Sequence, residues 1–182
     1  MSTDTDERRE LWLERRDNIQ EKLGLDNVEA VPRLEKIVVN VGIGDAREDI
    51  KKVEAIREHL RRITGQQPQV TRARKSVAGF GIREGDPAGL KVTLRGKKME
   101  DFLRRLVNIA LPRTKDFRGL EPDAFDGDGN YSLGITEQGV FPEISYDEIE
   151  QSFGMDITIV TTGSSSEESR ALLEEYNFPF AD

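Results

Sequence analysis

Residues 89–96 (GLKVTLRG) alternate strictly between apolar and polar side chains. The apolar positions are Leu90, Val92 and Leu94, and the polar positions are Lys91, Thr93 and Arg95. Because successive side chains of an extended chain point to opposite sides, this alternation predicts a β-strand with an apolar face and a polar face. It favours a sheet that is covered by the core on one face and open to solvent on the other.

The remaining periodic segments mix strands with helices. Alternation over 34–41 predicts a second strand, in which Ile37, Val39 and Val41 share the apolar face. Further strands are expected near Val70 and at 131–141 and 155–161. Helices are expected over 7–23, 50–63 and 98–110, near 146–152, and from Ser165 onward. Without a strand–helix–strand rhythm, the prediction is an α+β fold with a mostly antiparallel sheet packed with helices.

The helix over 50–63 has the clearest period. Its apolar stripe consists of Ile50, Val53, Ile56, Leu60 and Ile63. Gly65 is expected to end this helix, Gly24 to end the first and Pro112 to end the helix over 98–110. We expect two parts in the chain, an acidic N-terminal helix or arm over 1–24 and a single domain over 25–182.

Charge is distributed unevenly along the chain. The net charge is −8, yet residues 51–120 hold 18 of the 27 Lys and Arg residues and only 7 of the 35 Asp and Glu residues. A basic region inside an acidic chain indicates a surface for a polyanion better than the overall charge does. Solvated helix faces are the alternative explanation, because part of the excess lies on predicted helices.

Several classes of function are excluded by what the sequence lacks. The chain has no cysteine for disulfides or thiolate metal sites, and no stretch of about 20 apolar residues that could span a bilayer. Its N-terminus does not resemble a signal peptide, so we expect a cytoplasmic protein. Asp126, Asp128, Asn130 and Glu137 match a calcium-loop spacing, but Tyr131 replaces the required glycine.

A catalytic centre is not expected either. His59 is the only histidine, and it falls beside the apolar stripe of a predicted helix, where a surface or boundary position is expected. The dipeptide spacing Gly42-x-Gly44 lacks the third glycine of a dinucleotide loop, since residue 47 is Arg. The predictions are therefore a protein that is not an enzyme, with no metal and no cofactor.

Two features of the basic region suit a nucleic acid. Lys91, Thr93 and Arg95 form a row about 7 Å apart, in which cations can neutralise phosphates and the threonine can bond a 2′-hydroxyl. The apolar period is lost over 72–89, and the glycine-rich stretch 72–85 within it predicts a long basic loop in which Phe80 could stack on a base or wedge into a groove. An ordinary solvated sheet face is the alternative explanation for the row.

The segment TRARKSVAGFGIREGDPAGLKVTLRG (71–96) resembles the signature of a ribosomal protein family. Similar blocks occur in the family's order at 32–46, 111–120, 125–144, 155–162 and 172–180. The resemblance covers roughly residues 25–180 and is to the bacterial type of large-subunit ribosomal protein five, the 5S-RNA-binding family. It implies a structural constituent of the large ribosomal subunit that attaches 5S ribosomal RNA in the central protuberance, contacts peptidyl-site transfer RNA and touches small-subunit protein thirteen.

The resemblance also implies the contact residues. The positions that correspond to the 5S RNA surface are Lys36, Asn40, Gln66, Lys91, Thr93 and Arg95. The positions in the loop that would reach transfer RNA are Arg72, Arg74, Lys75, Ser76, Phe80 and Arg83. Acidic positions that could face small-subunit protein thirteen by charge complementarity are Glu137, Glu143, Asp147 and Glu148, for which a solvated acidic face is the alternative.

The acidity of this chain, with pI ≈ 4.9, departs from the basic character of the family. One hypothesis is adaptation to high intracellular salt, where screening weakens charge contacts. Two other functions stay open: a free RNA chaperone or regulator that uses the same surface away from the ribosome, and a metal-dependent enzyme built on 126–137.

Overall fold

The computed structural model describes residues 3–181, and the side chains of residues 9–44, 46, 48–79 and 81–181. The helices are α1 (Thr3–Leu23), α2 (Ile50–Thr64), α3 (Gly96–Arg105), α4 (Leu111–Arg113) and α5 (Ser166–Glu175). The strands are β1 (Leu34–Gly42), β2 (Gln69–Arg72), β3 (Pro87–Leu94), β4 (Tyr131–Ile135) and β5 (Met155–Thr161).

All five strands form one sheet in the order β2-β3-β1-β5-β4. The central strand β1 pairs antiparallel with β3, and β2 pairs antiparallel with the other edge of β3. Helices and a mostly antiparallel sheet therefore confirm the predicted α+β fold.

The chain divides into two compact units. The first consists of Met1–Glu35, Arg118–Tyr131 and Val160–Asp182, and the second of Lys36–Phe117 and Ser132–Ile159. In the first unit, Ile19, Val31 and Leu172 are buried together, and Trp12 and Tyr176 pack against them. The predicted division into 1–24 and 25–182 stays a prediction.

The first unit also contains the predicted start of the last helix. The hydroxyl of Ser165 accepts a hydrogen bond from the Glu168 amide at 3.2 Å, as an N-cap should. The Glu168 carboxylate accepts a hydrogen bond from the amide of Ser164, at 2.7 Å. The chain end packs onto the same unit, because Phe178 is buried and its ring lies 5.9 Å from that of Tyr131.

The second unit contains most of the sheet and the helix α2. Ile56, Leu60 and Ile63 are buried, as the period predicts, and Gly65 ends α2 with a φ of 69°. The prediction was wrong for Ile50, which is 78% exposed. Ile50 is the first residue of α2, directly after the N-cap Asp49, and lies beyond the part of the helix that the core covers.

Three predicted boundaries in the second unit were also wrong. Pro112 does not end the helical segment, because α4 follows directly on a π-helix over Leu106–Ala110. Pro112 lies in the first turn of α4, a position that tolerates proline. The strand predicted over 131–141 ends at Ile135. The chain then turns so that the buried Gln138 side chain bonds the Gln151 oxygen and the Phe153 amide, each at 2.9 Å. Near 146–152, only a 3-10 turn over Tyr146–Glu148 forms.

Candidate nucleic-acid interface

The two alternating segments of the sequence lie side by side in the sheet. Ile37 is opposite Leu94 and Val39 is opposite Val92, and these four side chains are buried. The same register places Asn40 opposite Lys91 on the other face. We call this other face of β1, β2 and β3 the open face, because its Asn40 and Lys91 side chains are exposed.

The strand β2 extends this row by one residue. Gln69 is opposite Lys91 on the edge of β3 that faces away from β1, so Asn40, Lys91 and Gln69 form a row across three strands. Gln69 is exposed, and Thr71 beside Gly89 is half-buried. Gln69 and Thr71 were not predicted as site residues. The sequence shows the alternation Gln69-Val70-Thr71, but the alternation of so short a strand does not indicate which residues of the neighbouring strand it will pair with.

The open face carries cations without carboxylates. Within residues 36–42, 69–71 and 89–93, the residues of this face are Lys36, Val38, Asn40, Gly42, Gln69, Thr71, Gly89, Lys91 and Thr93. Lys91 is exposed, and its ammonium has no hydrogen bond or ion pair with any described residue. Lys36 and Arg95 each interact with another group of the chain. Arg95 is exposed after β3, whereas Thr93 and Lys36 are half-buried.

Gln66 reaches this part of the sheet from the loop after α2. Its side-chain amide donates a hydrogen bond from Nε2 to the backbone oxygen of Thr93 at 2.9 Å. The loop itself is held because the Thr64 hydroxyl donates to the backbone oxygen of Gln66 at 3.1 Å. The structure therefore brings Gln66 to the predicted strand residues, although it is 27 positions from Thr93 in the chain.

The segment between β2 and β3 extends their hairpin as an arm, residues 73–86. The Ala73 amide donates to the Asp86 oxygen at 2.8 Å, and the Gly85 amide donates to the Ala73 oxygen at 2.9 Å. Nearer the tip, Val77 and Ile82 form an antiparallel bridge. The segment that lacks any apolar period in the sequence is thus held by backbone hydrogen bonds.

The arm and the residue before it expose their cations. Arg72, Arg74, Lys75 and Arg83 are exposed, and Arg72 donates to the Gly85 oxygen at 2.9 Å. The hydroxyl of Ser76 accepts a hydrogen bond from the Glu84 amide at 2.9 Å, so it also holds the arm together. The side chain of Phe80 lies outside the described residues, so its predicted stacking stays a prediction.

The acidic residues expected to face a protein partner differ in their surroundings. Glu143 pairs with Arg105, and Glu148 pairs with Arg62 at 3.2 Å. The hydrogen bond from Arg62 lowers the pKa of Glu148. Asp147 is exposed and Glu137 is half-buried.

His59 is half-buried and stacks on Phe153, with ring centroids 6.3 Å apart. It lines a cavity of about 580 Å³ with Lys51, Lys52 and Glu148. Burial lowers the pKa of His59, and the charge of Arg62 lowers it further. The histidine is therefore at the boundary between core and surface, as predicted.

The aspartate-rich segment near 126 is a hydrogen-bonded turn. Asp126 accepts hydrogen bonds from the amides of Asp128 and Asn130 at 3.0 and 2.8 Å, and from the Asn130 side chain at 2.9 Å. These bonds, that of the Asn130 side chain first, lower the pKa of Asp126. No cluster of three metal-ligating side chains occurs among the residues that the structure describes.

None of the helices within residues 3–181 has both the length and the apolar character needed to cross a bilayer.

Comparison with known proteins finds ribosomal protein families that match nearly the whole chain. The family described as "Ribosomal protein L5" matches residues 27–83, and the C-terminal part of the ribosomal L5 family matches residues 87–180. The two matches together cover the open face and most of the arm.

Individual relatives are similar over most of their length. The chain is 57% identical over 162 residues to the large ribosomal subunit protein uL5 of Rubrobacter xylanophilus, covering 89% of this chain and 90% of that protein. It is also 57% identical over 163 residues to the uL5 protein of Alkaliphilus oremlandii, covering 90% of this chain and 91% of that protein.

Proposed function

The chain belongs to the ribosomal protein L5 family, and on this premise we propose that it is a structural component of the large ribosomal subunit that binds 5S ribosomal RNA with its open face. It acts by binding and not as an enzyme. In the cell it would be bound to ribosomes in the cytoplasm, attaching 5S RNA in the central protuberance.

This proposal is supported by the row of Asn40, Lys91 and Gln69, which places one unpaired cation between two amides on a face where residues 36–42, 69–71 and 89–93 contribute no carboxylate. Lys91 offers a full positive charge to a phosphate, because no described group neutralises it. Asn40 beside it can donate and accept hydrogen bonds, as RNA recognition at base edges and 2′-hydroxyls requires. A merely solvated face of an acidic chain would be expected to mix both signs of charge.

Binding to 5S RNA is tested by electrophoretic mobility shift against an unrelated RNA of equal length. We expect a clear preference for 5S RNA, and its loss when Lys91→Glu and Arg95→Glu are combined. Lys51→Glu, a charge inversion at an exposed position of α2, is the control and should keep the preference. Equal affinity of the unmodified protein for both RNAs contradicts the proposal.

Assembly into the ribosome needs a separate measurement. Tagged protein should co-sediment with the large subunit in stoichiometric amount. A free RNA chaperone or regulator with the same surface would bind RNA in the shift assay but would not follow the large subunit in the gradient.

We further propose that the arm contacts transfer RNA in the peptidyl site. Arg74 and Lys75 support this part, since both are exposed and neither side chain bonds to another described residue. The arm extends the hairpin beyond the strands that carry the open face, so its cations can bind a different RNA from the one on the sheet.

A contact with small-subunit protein thirteen is also proposed, by charge complementarity with a basic partner. Asp147 supports it best, because it is exposed, whereas Glu143 and Glu148 already pair with arginines of the chain. Asp147→Lys should weaken the association of the two ribosomal subunits in a sedimentation assay. Unchanged association would indicate that these carboxylates form an ordinary solvated surface.

A further inference from the structure

Gly42 is a glycine that the fold itself does not require. An ideal Cβ built on Gly42 would meet no atom within 4 Å, and its backbone is not in the left-handed region. Its partner Gly89 differs, because a Cβ there would lie 2.8 Å from the backbone oxygen of Val41. The packing of the sheet therefore explains Gly89 but not Gly42.

Gly42 lies where the lack of a side chain changes the shape of the open face. Gly42 is exposed on the open face, two residues beyond Asn40 and so about 7 Å along β1 from the row that Asn40, Lys91 and Gln69 form. The open face consequently has no side chain at Gly42, next to this row. Gly42 is the last residue of β1, and a glycine lets another backbone approach the chain closely.

The two remaining strands carry a different surface in the same unit. On β5, Ile157 and Ile159 are buried while Asp156 is exposed, so Asp156 points away from the core. Its carboxylate lies 3.7 Å from the position of a Cβ on Gly134 of β4. An exposed carboxylate repels phosphate, so this half of the sheet is unsuited to an RNA backbone.

We propose that the sugar–phosphate backbone of the bound RNA passes directly over Gly42, and that the RNA footprint covers β1, β2 and β3 but ends before β5. This inference rests on the proposed RNA-binding function and adds to it a steric requirement and a boundary. Gln69 and Thr71 belong to the footprint, because they lie on β2 in register with Lys91 and Gly89.

The two exposed glycines provide a matched test. Gly42→Val and Gly134→Val add the same side chain to the same sheet, and neither glycine has a positive φ. Both variants should fold, which circular dichroism and a melting temperature no lower than that of the unmodified protein will show. Gly42→Ala adds the smallest side chain and provides a second, milder variant at the same position.

Affinity for 5S RNA is then measured by mobility shift at one salt concentration. We expect Gly42→Val to weaken binding about tenfold or more, equivalent to about 1.4 kcal/mol, and Gly134→Val to leave it unchanged. Gly42→Ala should fall between the two.

Three other outcomes separate the possibilities. Full affinity of Gly42→Val, with loss of binding in the Lys91→Glu and Arg95→Glu variant, overturns the inference and leaves the proposed function standing. Equal weakening by both valine variants overturns the boundary before β5. Full affinity of the Lys91→Glu and Arg95→Glu variant contradicts the proposed function and this inference together.

Discussion

The side-chain amide of Gln66 donates a hydrogen bond to the backbone oxygen of Thr93 at 2.9 Å. The pairing of β2 with β3 begins at Gln69 opposite Lys91, so no residue of β2 is opposite Thr93. Gln66 therefore satisfies a strand oxygen beyond the point where β2 begins. A residue that family resemblance assigns to RNA binding thus also completes the sheet beside the proposed RNA site.

Replacing Gln66 should consequently lower the stability of the protein. Gln66→Leu removes one partly buried hydrogen bond, and we expect the free energy of unfolding to fall by about 0.5–1.5 kcal/mol. Gln69→Leu is the control, because the exposed Gln69 side chain bonds to no described residue and its loss should change stability by less than about 0.5 kcal/mol. Urea unfolding measures both variants, and equal losses of stability would contradict the role assigned to Gln66.

The arm and the open face should be separable by mutation. Arg74→Ala combined with Lys75→Ala should leave 5S RNA binding unchanged and weaken transfer RNA in the peptidyl site, since both cations lie on the arm. Filter binding of transfer RNA to reconstituted ribosomes measures the effect. Each lost phosphate contact should also reduce the slope of log affinity against log salt by roughly 0.7–0.9. A matching loss of 5S RNA affinity would show that one RNA spans both surfaces.

Two isoleucines of α2 should differ sharply in their contribution to stability. Ile63 is fully buried, so Ile63→Ala should lower the free energy of unfolding by about 2–5 kcal/mol. Ile50 is 78% exposed, and Ile50→Ala should change it by less than about 0.5 kcal/mol. Denaturant unfolding of the two variants checks this, and a large loss at Ile50 would contradict its exposure.

The contact between α1 and α5 in the first unit should weaken in acid. Hydrogen bonds, first that from Lys22 and then that from Arg170, lower the pKa of Glu174 from its ordinary value of 4.5. Because the folded-state pKa is depressed, this stabilisation is complete above pH 4.5 and is lost as the pH falls through the folded value. Trp12, the single tryptophan, lies on α1 and packs against the cluster that contains Leu172 of α5, so its fluorescence reports the change.

Glu174→Gln should remove this part of the acid transition, because a neutral amide cannot be protonated over that range. Glu167→Gln, at an exposed position of the same helix, should keep it. An unchanged fluorescence titration of Glu174→Gln would assign the transition to other carboxylates.

Which side of each main element is buried followed from the amino-acid sequence alone. Alternation identified Val92 and Leu94 as core and Lys91 as surface, because a strand places successive side chains on opposite sides whatever it pairs with. The helical period identified Leu60 and Ile63 in the same way. The resemblance to the family was likewise recognised from six sequence blocks and their order along the chain. The matches of the two family models confirmed this resemblance.

Which of these elements pair with each other became known only from the folded structure. Strand pairing joins positions as distant as Asn40, Gln69 and Lys91, and a sequence period carries no information about the register between strands. Ile50 is exposed because the core does not extend to the start of α2. The strand β4 ends early because the chain turns to place the buried Gln138 side chain beside the Gln151 oxygen. The position of Gly42 on the open face has the same origin, because a glycine has no side chain whose pattern could reveal what passes over it.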